Sequence, residues 1–315
     1  MRAVLLIACG LLTACATTSQ TQRAVLCATD WTSHDGKSMP WRSWSVPAGQ
    51  KPRGVVIAVH GLSGAASDFW PLGEHLATQG YSVYAYELRG QGHDPVQEER
   101  GDIESAAVWQ QDLATFHKII KRRHPRTPVY WYGESLGSLI TLHTAARLRW
   151  GDPDALILAT PIAGLRMAVG GFQRWLLEAV AAVSPRTRYS LGQLAGVDES
   201  SIQVTSTTTH GGQMARTPHH VSAFSLRLLT AVGGMMDASA RAAARLKMPV
   251  LFLASPRDIL SSADQIQRLF GQVRSGDKKL LWYTRSHHLL LHDVQRNEVV
   301  HDVATWLRGL ERQHP

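Results

Sequence analysis

An uninterrupted apolar run early in the chain places the strongest constraint on its fold. Residues 54–59 read Gly-Val-Val-Ile-Ala-Val, with no polar side chain among them. A strand with one face in water alternates apolar and polar residues, whereas a strand of a parallel sheet covered on both faces is apolar throughout. The run therefore predicts an interior strand of a parallel sheet with helices on both sides.

The chain after residue 54 alternates between short apolar segments and longer amphipathic ones. Strands are predicted at 54–59, 81–86, 129–132, 155–158, 249–254 and 280–283. Helices are predicted at 69–79, 105–121, 136–149 and 294–310. Short β-like pieces flank a turn at 34–37. This order predicts an α/β protein with a mostly parallel, doubly wound sheet and right-handed crossovers.

Residues 161–247 interrupt the alternation. They contain helix-like stretches and no convincing strand, which predicts a helical insertion within one α/β domain spanning 28–315. Residues 165–183 are apolar, but Arg166, Arg174 and Glu178 would place ionisable groups in hydrocarbon if this segment crossed a membrane. A lid helix over a pocket is therefore the favoured interpretation, and a plain core helix is the alternative.

Composition narrows the class of protein. The chain has 315 residues, of which 44% are hydrophobic and 18% charged, so it can bury a large core without a metal or disulfide. The net charge of +8 suits an anionic surface. Lys and Arg are scattered and form no stripe interleaved with aromatic residues. A solvated basic surface is therefore predicted, and nucleic-acid binding is not.

The first fifteen residues, MRAVLLIACGLLTAC, have the pattern of a cleaved leader. Arg2 precedes an apolar run that is too short to span a bilayer. Small residues before Cys15 resemble the bacterial lipoprotein signal, which implies removal of residues 1–14 and lipidation of Cys15. The alternative is an ordinary secretory signal in which Cys15 is incidental.

The lipoprotein resemblance also implies a location. Ala16 follows the cysteine where Asp would indicate the inner membrane, so the resemblance places the protein in the bacterial cell envelope, anchored by lipid to the outer membrane and facing the periplasm. Residues 15–27 are predicted to form a tether. With Cys9 removed and Cys15 lipidated, Cys27 has no partner for an intramolecular disulfide.

A glycine-flanked serine follows the strand at 129–132. The segment Gly133-Glu134-Ser135-Leu136-Gly137 fits G-x-S-x-G, in which a sharp strand-to-helix turn exposes the serine hydroxyl. A serine hydroxyl becomes a good nucleophile only when a neighbouring base takes its proton. The pattern therefore predicts that Ser135 has partners on loops after other strands.

Residues able to act as those partners follow later strands in the order used by α/β-hydrolases. His287 and His288 come directly after the last strand, and Asp258 follows the strand at 249–254. Active sites of such folds lie beyond the carboxyl ends of the strands, where these loops meet. The loop His60-Gly61-Leu62 follows the first interior strand, and one of its N–H groups could join that of Leu136 in stabilising an oxyanion.

At this point the sequence resembles the α/β-hydrolase superfamily. It is most similar to the monoacylglycerol lipase and lysophospholipase branch, which is grouped with the serine aminopeptidase S33-type hydrolases. The matching stretches, in family order, are VHGLSGAASDFW, YELRGQGHD, YGESLGSL, PVLFLASPRD and HHLLLHD. They cover nearly all of the chain after residue 50. The sequence departs from the family pattern at Glu87, Glu134 and the Ser255-Pro256 pair, and the insertion matches poorly.

The resemblance implies roles for individual residues. Ser135 corresponds to the nucleophile, Asp258 to the acid and His288 to the base, with Leu62 and Leu136 as the oxyanion donors. Asp293 falls at the acidic position that follows the family's histidine, where a helix N-terminal charge is the favoured interpretation.

The resemblance implies a serine hydrolase that cleaves carboxylic esters of lipids, monoacylglycerols or lysophospholipids, without a metal or other cofactor. The adjacent histidine pairs at 219–220 and 287–288 have no accompanying acidic cluster, which argues against a metal site. A short-chain carboxylesterase or an acyltransferase is the alternative, and a prolyl-type aminopeptidase is less favoured. A protein of another class, an inactive hydrolase fold that binds lipid or a partner in the envelope, is also considered.

Overall fold

The computed structural model describes residues 24–148, 153–166 and 178–313. Within these ranges the strands are β1 (Asp30–Thr32), β2 (Ser38–Trp44), β3 (Gly54–Val59), β4 (Tyr81–Tyr86), β5 (Val129–Glu134), β6 (Ala155–Ala159), β7 (Arg188–Tyr189), β8 (Phe224–Ser225), β9 (Val250–Ala254) and β10 (Lys278–Trp282). The helices are α1 (Trp70–Thr78), α2 (Ala106–Arg123), α3 (Leu136–Ala145), α4 (Leu191–Ala195), α5 (His210–Arg216), α6 (Leu226–Ala243), α7 (Ala263–Gln272) and α8 (Arg296–Gln313), and residues 178–183 are also helical. Short 3-10 helices lie at Ala66–Phe69, Gln97–Glu99, Glu199–Ser201 and Leu290–His292.

Eight of these strands form one sheet in the order β1-β2-β4-β3-β5-β6-β9-β10. The strands from β4 to β10 in this order pair in parallel, and β2 pairs antiparallel with β4 and β1. Every residue of β3, β4, β6 and β9 is buried. This confirms the predicted α/β fold with a mostly parallel sheet, and β1 and β2 form the predicted β-like pieces around the 34–37 turn.

The two faces of the sheet bury different side chains of the same strands. In β3, Val55, Ile57 and Val59 belong to the hydrophobic core on one face, and Val56 and Ala58 belong to the core on the other. Helices α2, α3 and α6 pack together on the first face, and α1 packs against α8 on the second. A fully buried valine or isoleucine side chain contributes about 1.5–3 kcal/mol, which explains why these strands are apolar throughout.

Several predicted element ends differ from the structure. Helix α2 ends at Arg123 instead of residue 121, α3 ends at Ala145 instead of residue 149, and α8 runs from Arg296 to Gln313 instead of 294–310. Residue 149 lies outside the described residues. The basic residues at the end of α2 suit a helix C-terminus, where cations interact favourably with the helix dipole.

The prediction that residues 161–247 contain no strand was wrong. Strands β7 and β8 pair antiparallel, with Arg188 opposite Ser225 and Tyr189 opposite Phe224. Each strand has two residues, which is too short to show the alternation that identifies a strand in sequence.

The segment predicted as a lid or core helix at 165–183 is only partly described. Residues 165 and 166 are not helical. The N–H of Arg166 donates to the carbonyl of Leu260 at 2.7 Å and joins this segment to a loop beside the sheet. Residues 167–177 lie outside the described residues, and residues 178–183 are helical. None of the helices in the described ranges is both long and apolar enough to cross a bilayer. Residues 1–23, with Cys15, also lie outside these ranges, and Cys27 is an exposed free thiol.

The insertion is fastened to the loop that follows β4. The N–H of Ser225 donates to the carbonyl of Gly101 at 2.7 Å, and a Cβ at Gly92 would lie 1.6 Å from the carbonyl oxygen of His219. The carboxylate of Asp102 accepts hydrogen bonds from Arg227. The close contact with the carbonyl oxygen of His219 requires glycine at residue 92. There the backbone of the insertion passes against the sheet edge that carries the site.

Candidate active site

Ser135 occupies a strained turn between β5 and α3. Its backbone dihedrals are φ 55° and ψ −116°, a region that residues with a Cβ rarely adopt. The N–H of Ser135 donates to the carbonyl of Ala159 at 3.0 Å, and Ser138 Oγ donates to the carbonyl of Gly133 at 2.7 Å. These bonds hold the turn in its strained form and place the serine at the N-terminus of a helix.

The two glycines of the turn are required by close backbone contacts. A Cβ at Gly133 would lie 2.4 Å from the carbonyl oxygen of Gly137, and a Cβ at Gly137 would lie 1.9 Å from the carbonyl oxygen of Val59. Both distances are far below van der Waals contact. The two glycines of the G-x-S-x-G pattern are thus needed for α3 to pack directly against the ends of β3 and β5.

The structure brings Ser135, His288 and Asp258 into one hydrogen-bonded chain. His288 Nε2 lies 3.0 Å from Ser135 Oγ, and His288 Nδ1 lies 2.9 Å from Asp258 Oδ2. All three residues are buried, with 6%, 7% and 2% of their surfaces exposed respectively. A neutral imidazole in this arrangement donates from Nδ1 to the carboxylate and accepts from the serine hydroxyl through Nε2. His287 is excluded from this position, because its Nδ1 lies 3.4 Å from Asp293 Oδ2 instead.

Asp258 is held by groups on both sides of its loop. Its Oδ1 accepts the N–H of Leu260 at 2.7 Å. Arg166, from the start of the insertion, donates from Nε to the carbonyl of Asp258 and from Nη2 to the carbonyl of Pro256, both at 2.6 Å. The sequence interpretation used Arg166 only as a charge that disfavours a membrane span, and no local pattern indicates this contact with a loop 92 residues away.

The charge around His288 favours its protonated form. Burial alone would lower the pKa of His288, but the charge and hydrogen bond of Asp258, together with the charge of Glu134, outweigh burial and raise the pKa. Burial raises the pKa of the Glu134 carboxyl itself, against the opposing charges of His292 and His288. The imidazole is therefore poised to take a proton from Ser135 and to hold it beside Asp258.

The loop after β3 passes directly beside the serine. A Cβ at Gly61 would lie 3.0 Å from Ser135 Cβ and 3.5 Å from Ser135 Oγ, so a side chain there would crowd the serine. No described residue accepts a hydrogen bond from the N–H of either Leu62 or Leu136. Leu136 is the first residue of α3, where free N–H groups and the helix dipole favour a negative charge.

Residues that the sequence interpretation did not single out maintain this loop. Ser63 has φ 55°; its N–H donates to Gln91 Oε1 at 2.9 Å, and its Oγ donates to the carbonyl of Val221 at 3.0 Å. His60 also fixes this loop through hydrogen bonds. Its Nε2 accepts the N–H of Leu88 at 3.0 Å, and its Nδ1 lies 2.9 Å from the carbonyl oxygen of Gly61.

Metal ligation has no support among the residues that the structure describes. None of their histidine, cysteine and carboxylate side chains form a group of three or more arranged to hold an ion. The ring of His219 packs against His93 with centroids 4.8 Å apart, and Nε2 of His219 lies 3.7 Å from Asp68 Oδ1. His287 faces Asp293, so the two histidine pairs of the sequence do not come together as ligand sets.

Comparison with known proteins agrees with this fold. Residues 50–295 match the family described as serine aminopeptidase, S33. The monoacylglycerol lipase of Mycolicibacterium smegmatis is 26% identical over 268 residues, which cover 81% of this chain and 88% of that protein. The monoglyceride lipase of Rattus norvegicus is 25% identical over 282 residues, covering 87% and 88%.

The same fold is found in a solved structure of a soluble variant of monoglyceride lipase from Saccharomyces cerevisiae, in complex with a substrate analogue. The TM-score is 0.77 at 19% identity, and the match covers 93% of this chain and 98% of the yeast protein. This likeness identifies the α/β-hydrolase fold. The family match over more than half of the sequence, with the relatives and the fold, shows that the chain belongs to the serine aminopeptidase S33 family and is a hydrolase of the esterase and lipase type.

Proposed function

We propose that this protein is a serine hydrolase that cleaves carboxylic esters of lipids through a covalent acyl-enzyme on Ser135. The observation that carries the proposal is the hydrogen-bonded chain in which His288 lies 3.0 Å from Ser135 Oγ and 2.9 Å from Asp258 Oδ2. Ester hydrolysis needs a nucleophile, a base that also serves as an acid, and a group that stabilises the charged base. These three residues supply those functions.

In the first half of the reaction, Ser135 Oγ attacks the ester carbonyl and His288 Nε2 takes the hydroxyl proton. Asp258 stabilises the imidazolium that forms. The N–H groups of Leu62 and Leu136 donate to the oxyanion of the tetrahedral intermediate, and one such donor accounts for about 10²–10³ in rate. His288 then gives its proton to the leaving alcohol, and the acyl group remains as an ester of Ser135.

In the second half, water takes the place of the alcohol. His288 removes a proton from the water as the water oxygen attacks the acyl carbonyl, and a second tetrahedral intermediate forms in the same oxyanion position. Collapse of this intermediate breaks the bond to Ser135 Oγ, which regains its proton from His288. The fatty acid leaves, and the resting hydrogen-bonded chain is restored.

The proposed substrates are monoacylglycerols or lysophospholipids. Support comes from the names of the relatives, which are monoacylglycerol and monoglyceride lipases. The insertion at about 161–247 is proposed to be a lid that shapes an apolar pocket over the serine. Its segments already contact the site, since Val221 meets Ser63 and Arg166 binds the Asp258 loop. A lid of this kind excludes bulk water from the site while the ester is bound.

Labelling with a fluorophosphonate probe tests the chemistry. The native protein is expected to form one covalent adduct, located at Ser135 by peptide mass spectrometry, and Ser135→Ala is expected to form none. Absence of labelling in folded native protein would instead favour an inactive hydrolase fold that binds lipid or a partner.

Turnover on a series of esters tests the substrate class. Acyl chain length is varied on glycerol, on phosphoglycerol and on a simple alcohol, and released fatty acid is measured. We expect the highest kcat/KM on long-chain glycerol or phosphoglycerol monoesters. A preference for short acyl chains on any alcohol would identify the protein as a carboxylesterase. Transfer of the acyl group to an added alcohol would identify it as an acyltransferase. Cleavage of aminoacyl amides alone would identify it as an aminopeptidase.

We also propose that Cys15 carries a lipid that anchors the protein to the bacterial outer membrane on its periplasmic face, with residues 1–14 removed. The support is the leader sequence itself, since these residues lie outside the described ranges. Lipid at this position would hold the hydrolase beside a bilayer that contains its proposed substrates.

A further inference from the structure

Asp293 is a buried carboxylate that joins the insertion to the loop carrying His288. Its Oδ1 accepts the N–H of Ser206 at 2.9 Å and the N–H of Val294 at 2.8 Å, and its Oδ2 accepts the N–H of His287 at 2.7 Å. Ser206 belongs to the insertion, whereas His287 is the residue before His288. One side chain therefore holds two segments that are far apart in the sequence.

Two further hydrogen bonds connect the same segments. The N–H of Leu289 donates to the carbonyl of Val204 at 3.0 Å, and Ser206 Oγ donates to the carbonyl of Arg285 at 3.0 Å. Residues 204–206 of the insertion thus bind the histidine loop on both sides of His288. We call this set of contacts the 204–206 seam.

The backbone N–H groups of the seam favour the ionised form of Asp293. Burial by itself would raise the pKa of this carboxyl, but hydrogen bonds from Ser206, His287 and Val294 outweigh burial and lower the pKa. An ionised carboxylate that accepts several backbone N–H groups forms the stronger class of protein hydrogen bond. The sequence favoured a role for Asp293 as a charge at a helix N-terminus. That role does not account for these contacts, because the carboxylate oxygens accept hydrogen bonds from the histidine loop and from the insertion.

We propose that Asp293 is a positioning residue, through which residues 204–206 of the insertion hold the imidazole of His288 in line with Ser135 and Asp258. This inference rests on the proposed function of His288 as the base. It makes the insertion part of the machinery that sets the geometry of the site, in addition to its role as a cover. Without residues 204–206, the histidine loop would lack the contacts that flank His288 on both sides.

Asp293→Asn tests the proposal in the full-length protein. The amide keeps the size of the side chain but cannot accept at both oxygen positions, so the N–H of His287 or of Ser206 loses its acceptor. The control is Asp198→Asn, which changes another backbone-capping carboxylate of the insertion, where Asp198 accepts the N–H of Ser200 at 2.8 Å on an exposed surface. Rates on p-nitrophenyl acetate are divided by the concentration of sites titrated with a fluorophosphonate, which removes the effect of unfolded protein.

We expect Asp293→Asn to lower kcat by about 10- to 100-fold per titrated site, since small errors in placing a reacting group have effects of this size. Asp198→Asn is expected to retain the native kcat. The acid limb of the pH profile of kcat/KM should also move to lower pH in Asp293→Asn, because a displaced imidazole loses the attraction of Asp258 and keeps the effect of burial. Among the described residues, Asp258 and Glu134 raise the pKa of His288, and His210 also interacts with it. Because loss of the Asp293 charge would move the limb in the same direction, the fall in kcat per titrated site is the readout that identifies a displaced imidazole.

A native kcat and a native acid limb per titrated site in Asp293→Asn would overturn the proposal and leave Asp293 as a contributor to folding only. If this variant does not fold, Ser206→Pro decides the question, because it removes the N–H that the insertion donates to Asp293. Ser206→Ala keeps that N–H and is expected to lose less activity than Ser206→Pro; equal activity in the two would also overturn the proposal. Failure of the proposed function is a separate outcome, since the native protein would then neither bind the probe nor cleave the ester.

Discussion

The hydroxyl of Ser255 donates a hydrogen bond to the backbone carbonyl of Ser286 and so joins the loop of Asp258 to the loop of His288. The same hydroxyl accepts the N–H of Arg257 at 2.9 Å, and Ser255 is 1% exposed. One buried side chain therefore contributes to the distance between the carboxylate and the imidazole.

Ser255→Ala is expected to weaken both stability and activity. It leaves the buried carbonyl of Ser286 without this partner and the partly buried N–H of Arg257 without its acceptor, which lowers the free energy of unfolding by about 1–3 kcal/mol. The two loops are then free to separate, and kcat/KM on a soluble ester is expected to fall by about 10-fold. Urea unfolding and kinetics on titrated sites measure the two effects.

Ser275→Ala is the matched control for this substitution. Ser275 is also buried, its Oγ donates to the carbonyl of Asp277 at 3.0 Å, and it accepts the N–H of Asp277 at 3.3 Å. It lies before the amino end of β10, at the opposite end of the strand from the site. We expect a comparable loss of stability with unchanged kcat/KM, and equal kinetic losses in the two variants would contradict a specific role for Ser255.

Glu134→Gln is expected to shift the pH dependence of the enzyme. Burial lowers the pKa of His288, and Asp258 and Glu134 raise it, with a net rise. Removing the charge of Glu134 should therefore lower this pKa. Because His288 must be neutral to accept a proton, activity appears as pH rises through its pKa, and the acid limb of kcat/KM should move to lower pH. The exposed Glu98→Gln serves as the control, and an unmoved limb in Glu134→Gln would show that Glu134 carries no charge over this range.

Much of the fold could be predicted from sequence because each interior strand is apolar on both faces. The G-x-S-x-G turn, the strand ends and the order of Ser135, Asp258 and His288 are local patterns, and the structure brings these three residues together. The choice of His288 over His287 came from a family resemblance, and the geometry that distinguishes them is the contact of His287 with Asp293.

The contacts that sequence reasoning missed join segments far apart in the chain. Arg166 reaches the carbonyl of Asp258 across 92 residues, and Ser206 reaches Asp293 across 87. Both come from parts of the insertion outside the long helix α6, and these parts have neither the period of a long helix nor that of a long strand. Single arginines and serines in such a segment carry no periodic signal, so their partners become apparent only when the chain is folded.

Cys15→Ser is expected to release the protein from the membrane. A lipidated N-terminal cysteine holds a protein at a bilayer through its buried acyl chains, and serine cannot take part in the thioether and acyl modifications of a lipoprotein. Expressed in a bacterial host, the native protein should incorporate a palmitate analogue and sediment with outer membranes. The variant should do neither, and a native protein that remains soluble and unlabelled would favour an ordinary secretory signal.

Gly137→Ala is expected to disrupt the site through the backbone alone. A Cβ at residue 137 would lie 1.9 Å from the carbonyl oxygen of Val59 and 2.8 Å from that of His60, so α3 and the end of β3 must separate. We expect a fall in the free energy of unfolding of about 1–3 kcal/mol or more and loss of fluorophosphonate labelling. Gly234→Ala is the control, because a Cβ there meets no atom within 4 Å on the exposed side of α6, and it should raise stability by about 0.4–1 kcal/mol. Labelling of Gly137→Ala at the native rate, measured in the same assay, would contradict the requirement for glycine in the turn.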